Sequence, residues 1–121
     1  MPRTCLIAAH DPWLLQLLRI YTEESGFRVV QAHEGQDVLP MIEKEQPVAI
    51  LLQVDLPGQI DGWELLHVLN QGPQSTHIPV LAFSWQNEGI GELVSGAAAY
   101  LQEPVTYETF VDALRKSGIC L

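Results

Sequence analysis

Three residues with metal-binding side chains, His10, Asp55 and Glu103, stand in separate segments that each follow an apolar run. Imidazole and carboxylate groups together can ligate a transition metal, so the three side chains could converge into a metal site. The alternative is a hydrogen-bonded cluster in which His10 offsets the charge of the two carboxylates. Three ligands from separate segments, with no residues identified that would orient them, make a weak metal signal. The sequence therefore favours the hydrogen-bonded cluster.

The sequence lacks the motifs of nucleotide-binding and hydrolytic proteins. Residues 9–13 read A-H-D-P-W after the first apolar run and form no glycine-rich or hydroxyl-rich phosphate cradle. No G-x-S-x-G nucleophile elbow occurs either. A small-ligand binder or an enzyme is thus the least favoured class, and we expect no cofactor and no catalytic activity.

The elements that would position these residues alternate regularly along the chain. Five short apolar runs are typical of strands, at residues 5–9, 27–31, 48–52, 79–83 and 98–101. The second run is the most polar, as expected of an edge strand, and the segments between the runs have apolar residues at helical spacing. This alternation predicts an α/β domain over residues 1–121, with a parallel sheet covered by helices on both faces. Sites on such sheets form at the carboxyl ends of the strands.

Residues at the ends of the predicted helices agree with this assignment. Asp11 followed by Pro12 predicts an N-cap, and we favour this role over a metal-binding one for the Asp11 carboxylate. Thr106 predicts the cap of the last helix and Gly118 its end. Pro40 falls inside the second helical segment, where it predicts a late start or a kink.

Charge and composition exclude several classes of partner. Fifteen acidic residues against six basic ones give a formal charge of −9, which repels phosphate backbones and anionic lipid. We therefore expect neither nucleic acid nor a membrane as a direct partner. The sequence shows no membrane span and no secretory signal, so a cytoplasmic location is expected. In that compartment Cys5 and Cys120 should be reduced, half-buried thiols.

Three blocks of the sequence are informative together: residues 47–62 read P-V-A-I-L-L-Q-V-D-L-P-G-Q-I-D-G, residues 78–84 read I-P-V-L-A-F-S and residues 96–104 read G-A-A-A-Y-L-Q-E-P. These blocks resemble those of response-regulator receiver domains, the CheY-like family of two-component systems. They are similar to the family's P-D-L-I-L-L-D-L-M-M-P-x-M-D-G, I-P-V-I-x-L-T and G-A-x-x-Y-L-x-K-P, in the same order. The resemblance implies a flavodoxin-like, five-stranded parallel sheet of strand order 2-1-3-4-5.

The residues at the family's active positions differ from the family pattern. The family uses a phosphoacceptor aspartate, an acidic pair that binds Mg²⁺, a Thr or Ser switch and a lysine. These positions carry, in that order, Gln53, Ala9 with His10, Ser84 and Glu103, so only the hydroxyl group is kept. A carboxamide is a very poor nucleophile, an alanine cannot ligate Mg²⁺, and a glutamate reverses the charge of the lysine. The resemblance therefore implies a degenerate phosphorylation pocket, that is, a pseudo-receiver.

Asp55, two positions after Gln53, offers an alternative phosphoacceptor. A phosphorylatable receiver that uses Asp55 is the second hypothesis. Because the metal ligands of the family are missing, a solvated carboxylate in a loop is the favoured role for Asp55.

The surface that meets partners in this family lies on the helix between strands four and five, the fifth strand and the last helix. In this sequence that helix would fall in residues 84–96, where Gly89 and Gly91 predict a short or frayed element. Trp85 is the expected surface anchor, and Tyr100 matches the family's aromatic switch. We expect a kinase or an output domain to bind this surface, and homodimerisation through it stays open.

Overall fold

The structure contains one sheet of five parallel strands. A computed structural model describes residues 3–54, 62–72, 77–84, 99–102 and 105–119. The strands are β1 (Thr4–Ala8), β2 (Arg28–Ala32), β3 (Ala49–Gln53), β4 (Val80–Ser84) and β5 (Ala99–Gln102). Their spatial order is β2-β1-β3-β4-β5, and every pairing is parallel. The flavodoxin-like order implied by the resemblance is confirmed, as is the edge position of the second strand.

In the described residues, helices follow β1, β2, β3 and β5 and cover both faces of the sheet. They are α1 (Pro12–Glu24), α2 (Val38–Glu45), α3 (Gly62–Gln71) and α4 (Tyr107–Lys116), with a short 3-10 turn at Gly35–Asp37 before α2. Residues from α2 and α3 share one apolar cluster with the sheet, and residues from α1 and α4 share the other. Alternate strand residues serve the two clusters, as Leu6 and Ile7 of β1 do. Across the described ranges, no helix is both long enough and apolar enough to span a bilayer.

The predicted strands lie within one residue of the observed ones, and the differences have a physical cause. β3 and β4 extend to Gln53 and Ser84, whose polar side chains end the apolar runs in the sequence. In the backbone ladder, Gln53 still pairs with Phe83, and Ser84 with Gln102. Apolar runs report side-chain burial, whereas strand ends are set by backbone pairing.

The predicted ends of the helices are also observed. Thr106 caps α4, since its hydroxyl accepts a hydrogen bond from the backbone N–H of Thr109 at 3.2 Å. Gly118 follows α4 with a φ of 87°, a left-handed conformation that favours glycine. α2 begins at Val38, so Pro40 lies in the first turn, where a backbone N–H has no partner within the helix. The late start predicted from Pro40 is therefore confirmed.

Cys5 corrects one prediction, because its side chain is fully buried in β1 rather than half-buried. The thiol is free, as expected, while Cys120 lies outside the described residues. Burial raises the pKa of the Cys5 thiol to about 12, against a smaller opposing effect of the Arg3 charge. The thiolate is the reactive form of cysteine, and the raised pKa keeps its population small at neutral pH.

We therefore expect Cys5 to be inert in the folded protein. In a Cys120→Ser variant at pH 8, a thiol reagent should leave Cys5 unmodified until denaturant is added, when one thiol should react. Because folding raises the pKa of the Cys5 thiol, the stabilisation linked to this group is fully present at pH values below the ordinary thiol pKa. That stabilisation is lost as the pH rises from the ordinary pKa toward about 12. Rapid labelling of the native Cys120→Ser variant would show that β1 opens readily.

Candidate functional site

The candidate site lies at the carboxyl edge of the sheet, where β1 and β3 end side by side. Ala8 of β1 pairs with Leu52 of β3, so the next residues, Ala9 and Gln53, are neighbours. Ala9 is fully buried and brings only a methyl group to this position. The structure thus brings together two of the residues assigned to the degenerate pocket.

Gln53 is the central side chain of this site. Only 4% of the residue is exposed, and its side-chain oxygen Oε1 accepts two backbone hydrogen bonds. The backbone N–H of His10 donates at 2.8 Å, and that of Asp11 donates at 3.1 Å. A buried polar group costs free energy unless it is hydrogen-bonded, and these two bonds satisfy the oxygen. Gln53 therefore joins the end of β3 to the loop between β1 and α1.

Asp11 extends this connection into α1. Its carboxylate oxygen Oδ1 accepts a hydrogen bond from the backbone N–H of Trp13 at 2.9 Å. Its backbone carbonyl accepts the first helical bond, from Leu15 at 2.9 Å, and Pro12 occupies the first helical position. The capping role predicted for Asp11 is confirmed.

Of the three candidate metal ligands, the structure describes only one. His10 is exposed, while Asp55 and Glu103 lie outside the described residues. Among the residues that the structure does describe, no three His, Cys, Asp or Glu side chains form a metal-binding group. Both hypotheses for His10, Asp55 and Glu103 stay predictions.

For the predicted switch and interface residues Ser84 and Tyr100, the structure describes only the backbone. Ser84 ends β4, and Tyr100 of β5 pairs with Ala82 of β4. Trp85 lies outside the described residues, as does the predicted helix in residues 84–96 beyond Ser84. The structure therefore fixes where two of these strand positions lie and leaves the prediction for Trp85 as it was.

A contact that the sequence did not reveal joins the start of α4 to α1. The hydroxyl of Tyr21 donates a hydrogen bond to the carbonyl of Val105 at 3.0 Å. The Tyr21 ring also contacts two aromatic rings of α4, with centroid distances of 5.4 Å to Tyr107 and 5.6 Å to Phe110. Each of the three residues stands among apolar residues at helical spacing in the sequence, but whether their rings meet depends on how the helices pack on the sheet. This contact anchors the segment just after the position of Glu103.

Comparisons with known proteins match this architecture. The family model of the response regulator receiver domain matches residues 5–115. The chain is 25% identical to the polar-differentiation response regulator DivK of Brucella abortus, over 95% of each chain. It is 32% identical to the transcriptional regulatory protein AfsQ1 of Streptomyces coelicolor, over 87% of this chain but only 46% of that protein. The solved structure of the bacteriophytochrome response regulator RtBRR superposes with a TM-score of 0.86 at 27% identity, covering all of this chain and 81% of the other.

Proposed function

This chain belongs to the family of response regulator receiver domains, and we propose that it is a non-phosphorylatable member that signals by binding a protein partner. Receiver domains work with kinases or output domains in two-component systems. Here the binding itself would carry the signal, with no covalent step and no enzymatic activity. The observation that carries this proposal is that a hydrogen-bonded carboxamide, that of Gln53, occupies the phosphoacceptor position.

Gln53 is unsuited to phosphoryl transfer in two ways. A carboxamide oxygen is a very poor nucleophile toward phosphorus, whereas a carboxylate can form an acyl phosphate. In addition, Oε1 already accepts hydrogen bonds from two backbone N–H groups, at 2.8 and 3.1 Å. The side chain is held as a structural element of the junction between β1 and β3.

The neighbouring positions support the same proposal. Mg²⁺ requires hard oxygen ligands in near-octahedral geometry, and Ala9 presents only a methyl group. Asp11, the carboxylate nearest to Ala9 in the sequence, uses Oδ1 to cap α1. At the lysine position, Glu103 would repel a phosphoryl group: two unit charges at about 5 Å and an effective dielectric of about 20 interact by roughly 3 kcal/mol.

The partner surface of this proposal includes β5 and α4. Trp85 and Tyr100 are the residues proposed to contact a kinase or an output domain there. The double substitution Trp85→Ala with Tyr100→Ala should weaken that binding if the surface is used. Binding that is unchanged in the double variant would remove this part of the proposal.

A phosphorylation assay tests the central claim. After incubation with acetyl phosphate and Mg²⁺, we expect the intact mass of the wild-type chain to stay unchanged. A variant carrying Ala9→Asp, His10→Asp, Gln53→Asp and Glu103→Lys serves as the positive control, because it restores the family's residues at all four altered positions. Gln53→Asp alone should remain unmodified, since it lacks the metal ligands.

The same assay distinguishes the alternative acceptor. If the wild-type chain gains one phosphoryl group and the Asp55→Asn variant does not, then Asp55 is the acceptor. The chain would in that case be a phosphorylatable receiver, contrary to the proposal.

A further inference from the structure

A cavity of about 670 Å³ lies at the amino edge of the sheet, where the strands begin. Its wall is formed by the last turn of α2, by residues 46–48 that lead into β3, and by residues 77–78 that lead toward β4. The length of β3 separates this edge from Gln53, a distance of about 16 Å at about 3.3 Å per residue. The cavity is therefore distinct from the candidate site at the carboxyl edge.

The buried part of the cavity wall is apolar. Ile42, Pro47 and Ile78 line the cavity and are buried, and Val48 lines it and is half-buried. Ile42 and Ile78 also belong to the apolar cluster that joins α2 and α3 to the sheet, so the core holds this wall in place. A cavity of this volume, with a mainly apolar lining and a few polar groups, is typical of a site for a small molecule.

The polar part of the wall favours a cation. Of the described residues that line the cavity, the polar ones are Glu43, Gln46 and His77, and all three are exposed. Glu43 supplies a negative charge, and the last carbonyl groups of α2 supply the negative end of the helix dipole at the same place. Lys44, the basic residue of this turn, does not line the cavity. A carboxylate and carbonyl groups accept hydrogen bonds and cannot donate them, which suits a ligand that donates.

Gln46 has a backbone conformation that its residue type does not favour. Its φ of 48° and ψ of 61° are left-handed, and no other non-glycine residue in the described ranges has a positive φ. The ends of α1 and α4 use glycine for this conformation, at Gly26 and Gly118. The end of α2 instead carries a side chain, although a side chain makes this conformation less stable. Because that side chain lines the cavity, the strain indicates a role for its carboxamide there.

We propose that this cavity binds a small organic cation, an ammonium group on a short apolar body. The ammonium group donates hydrogen bonds to the Glu43 carboxylate and the Gln46 carboxamide oxygen. The apolar body packs against Ile42 and Ile78. The inference goes beyond the proposed function and does not rest on it, because the cavity lies at the other end of β3 from Gln53.

The direct test titrates phenethylammonium into the ¹⁵N-labelled chain and follows the amide shifts. We expect saturable shifts centred on residues 42–48 and 77–78, and weaker binding as salt is raised. Phenethyl alcohol keeps the apolar body without the charge and should bind about tenfold more weakly, since hydrogen bonds to charged groups are the stronger ones. Hydrocinnamate reverses the charge and should not bind. Equal binding by the alcohol, or no saturable shift at these residues, would overturn the proposal.

Matched charge variants separate the cavity from general attraction to an acidic protein. Glu43→Gln removes the charge at constant size and should weaken binding of phenethylammonium about tenfold. Glu24→Gln is the control, because Glu24 is also an exposed glutamate in the last turn of a helix, α1, and does not line the cavity. It should change binding by less than about twofold, because an exposed charge outside the site is screened. If the two variants weakened binding equally, the cation site would be wrong.

Gln46→Gly separates binding from folding. Glycine suits the left-handed conformation, so the midpoint of urea unfolding should be no lower than that of the wild type. The variant lacks the carboxamide, and we expect it to bind phenethylammonium several-fold more weakly. Binding equal to that of the wild type would remove Gln46 from the proposal. None of these outcomes depends on phosphorylation, so a phosphorylated wild-type chain would refute the proposed function and leave the cation site standing, whereas a failed titration would do the reverse.

Discussion

Replacing Gly62 with alanine is expected to destabilise the fold by about 3 kcal/mol and to loosen the candidate site at the same time. Gly62 is the buried first residue of α3, packed against the end of β3. A Cβ atom at this position would lie 2.6 Å from both the Cα and the carbonyl carbon of Val54, and closer still to its carbonyl oxygen. These are backbone atoms, so no side-chain rotation can relieve the contact, and either α3 or the end of β3 must move.

The displacement would reach the site because Val54 directly follows Gln53. The backbone N–H of Val54 donates to the carbonyl of Phe83 at 3.0 Å, and Gln53 pairs with Phe83 in the ladder. A shift of Val54 therefore strains the last pairing of β3 and moves Oε1 of Gln53 relative to its two donors. Urea unfolding should show the loss of stability, and faster amide hydrogen exchange at His10 and Asp11 should show the loss of order.

Two other glycines serve as controls that distinguish the effect of a steric contact from that of backbone conformation. Gly26 and Gly118 have φ values of 91° and 87°, and a Cβ added at either would meet no atom within 4 Å. Alanine at these positions should cost about 1 kcal/mol, for the left-handed conformation alone. If Gly62→Ala cost no more than Gly26→Ala or Gly118→Ala, the close approach of α3 to β3 would be wrong.

The fold could be predicted from the sequence because each helix and strand is indicated by a local sequence pattern. Burial of both sheet faces makes strands such as β1 and β3 nearly continuous apolar runs, and caps such as Thr106 act within one turn of a helix. The strand order came from the resemblance, and the observed order agrees with it. The burial predicted for Cys5 was wrong, because a position near the start of a strand does not reveal how fully the helices cover that residue.

The site was predictable as a set of positions but not as a set of contacts. The sequence identified Gln53 as a replacement for an aspartate, and this argued only for lost chemistry. It could not show that the longer side chain brings Oε1 to the backbone N–H groups of residues 10 and 11, more than 40 positions away. The bond from Tyr21 to Val105 spans 84 positions and was missed for the same reason. Such contacts depend on tertiary packing, which periodicity and capping rules do not describe.

Removing the acceptor oxygen of Gln53 gives the second large effect that we expect. Gln53→Met preserves the volume and reach of the side chain but leaves the N–H groups of His10 and Asp11 without their acceptor. A partly buried donor that loses its partner costs about 1 kcal/mol or more, so two of them should lower the free energy of unfolding by about 2 kcal/mol. Urea denaturation at pH 7 measures this loss, and hydrogen exchange at the two amides should accelerate.

Gln53→Glu provides the matched control for that measurement. Its carboxylate oxygens can accept both hydrogen bonds, and bonds to a charged acceptor are stronger than neutral ones. Burial of the charge opposes this gain, so we expect a stability between those of the wild type and Gln53→Met, with the two amides still slow to exchange. If Gln53→Met instead matched the wild type in both stability and exchange, the two bonds would contribute nothing to the junction, and Gln53 would be only an inert replacement for the family's aspartate.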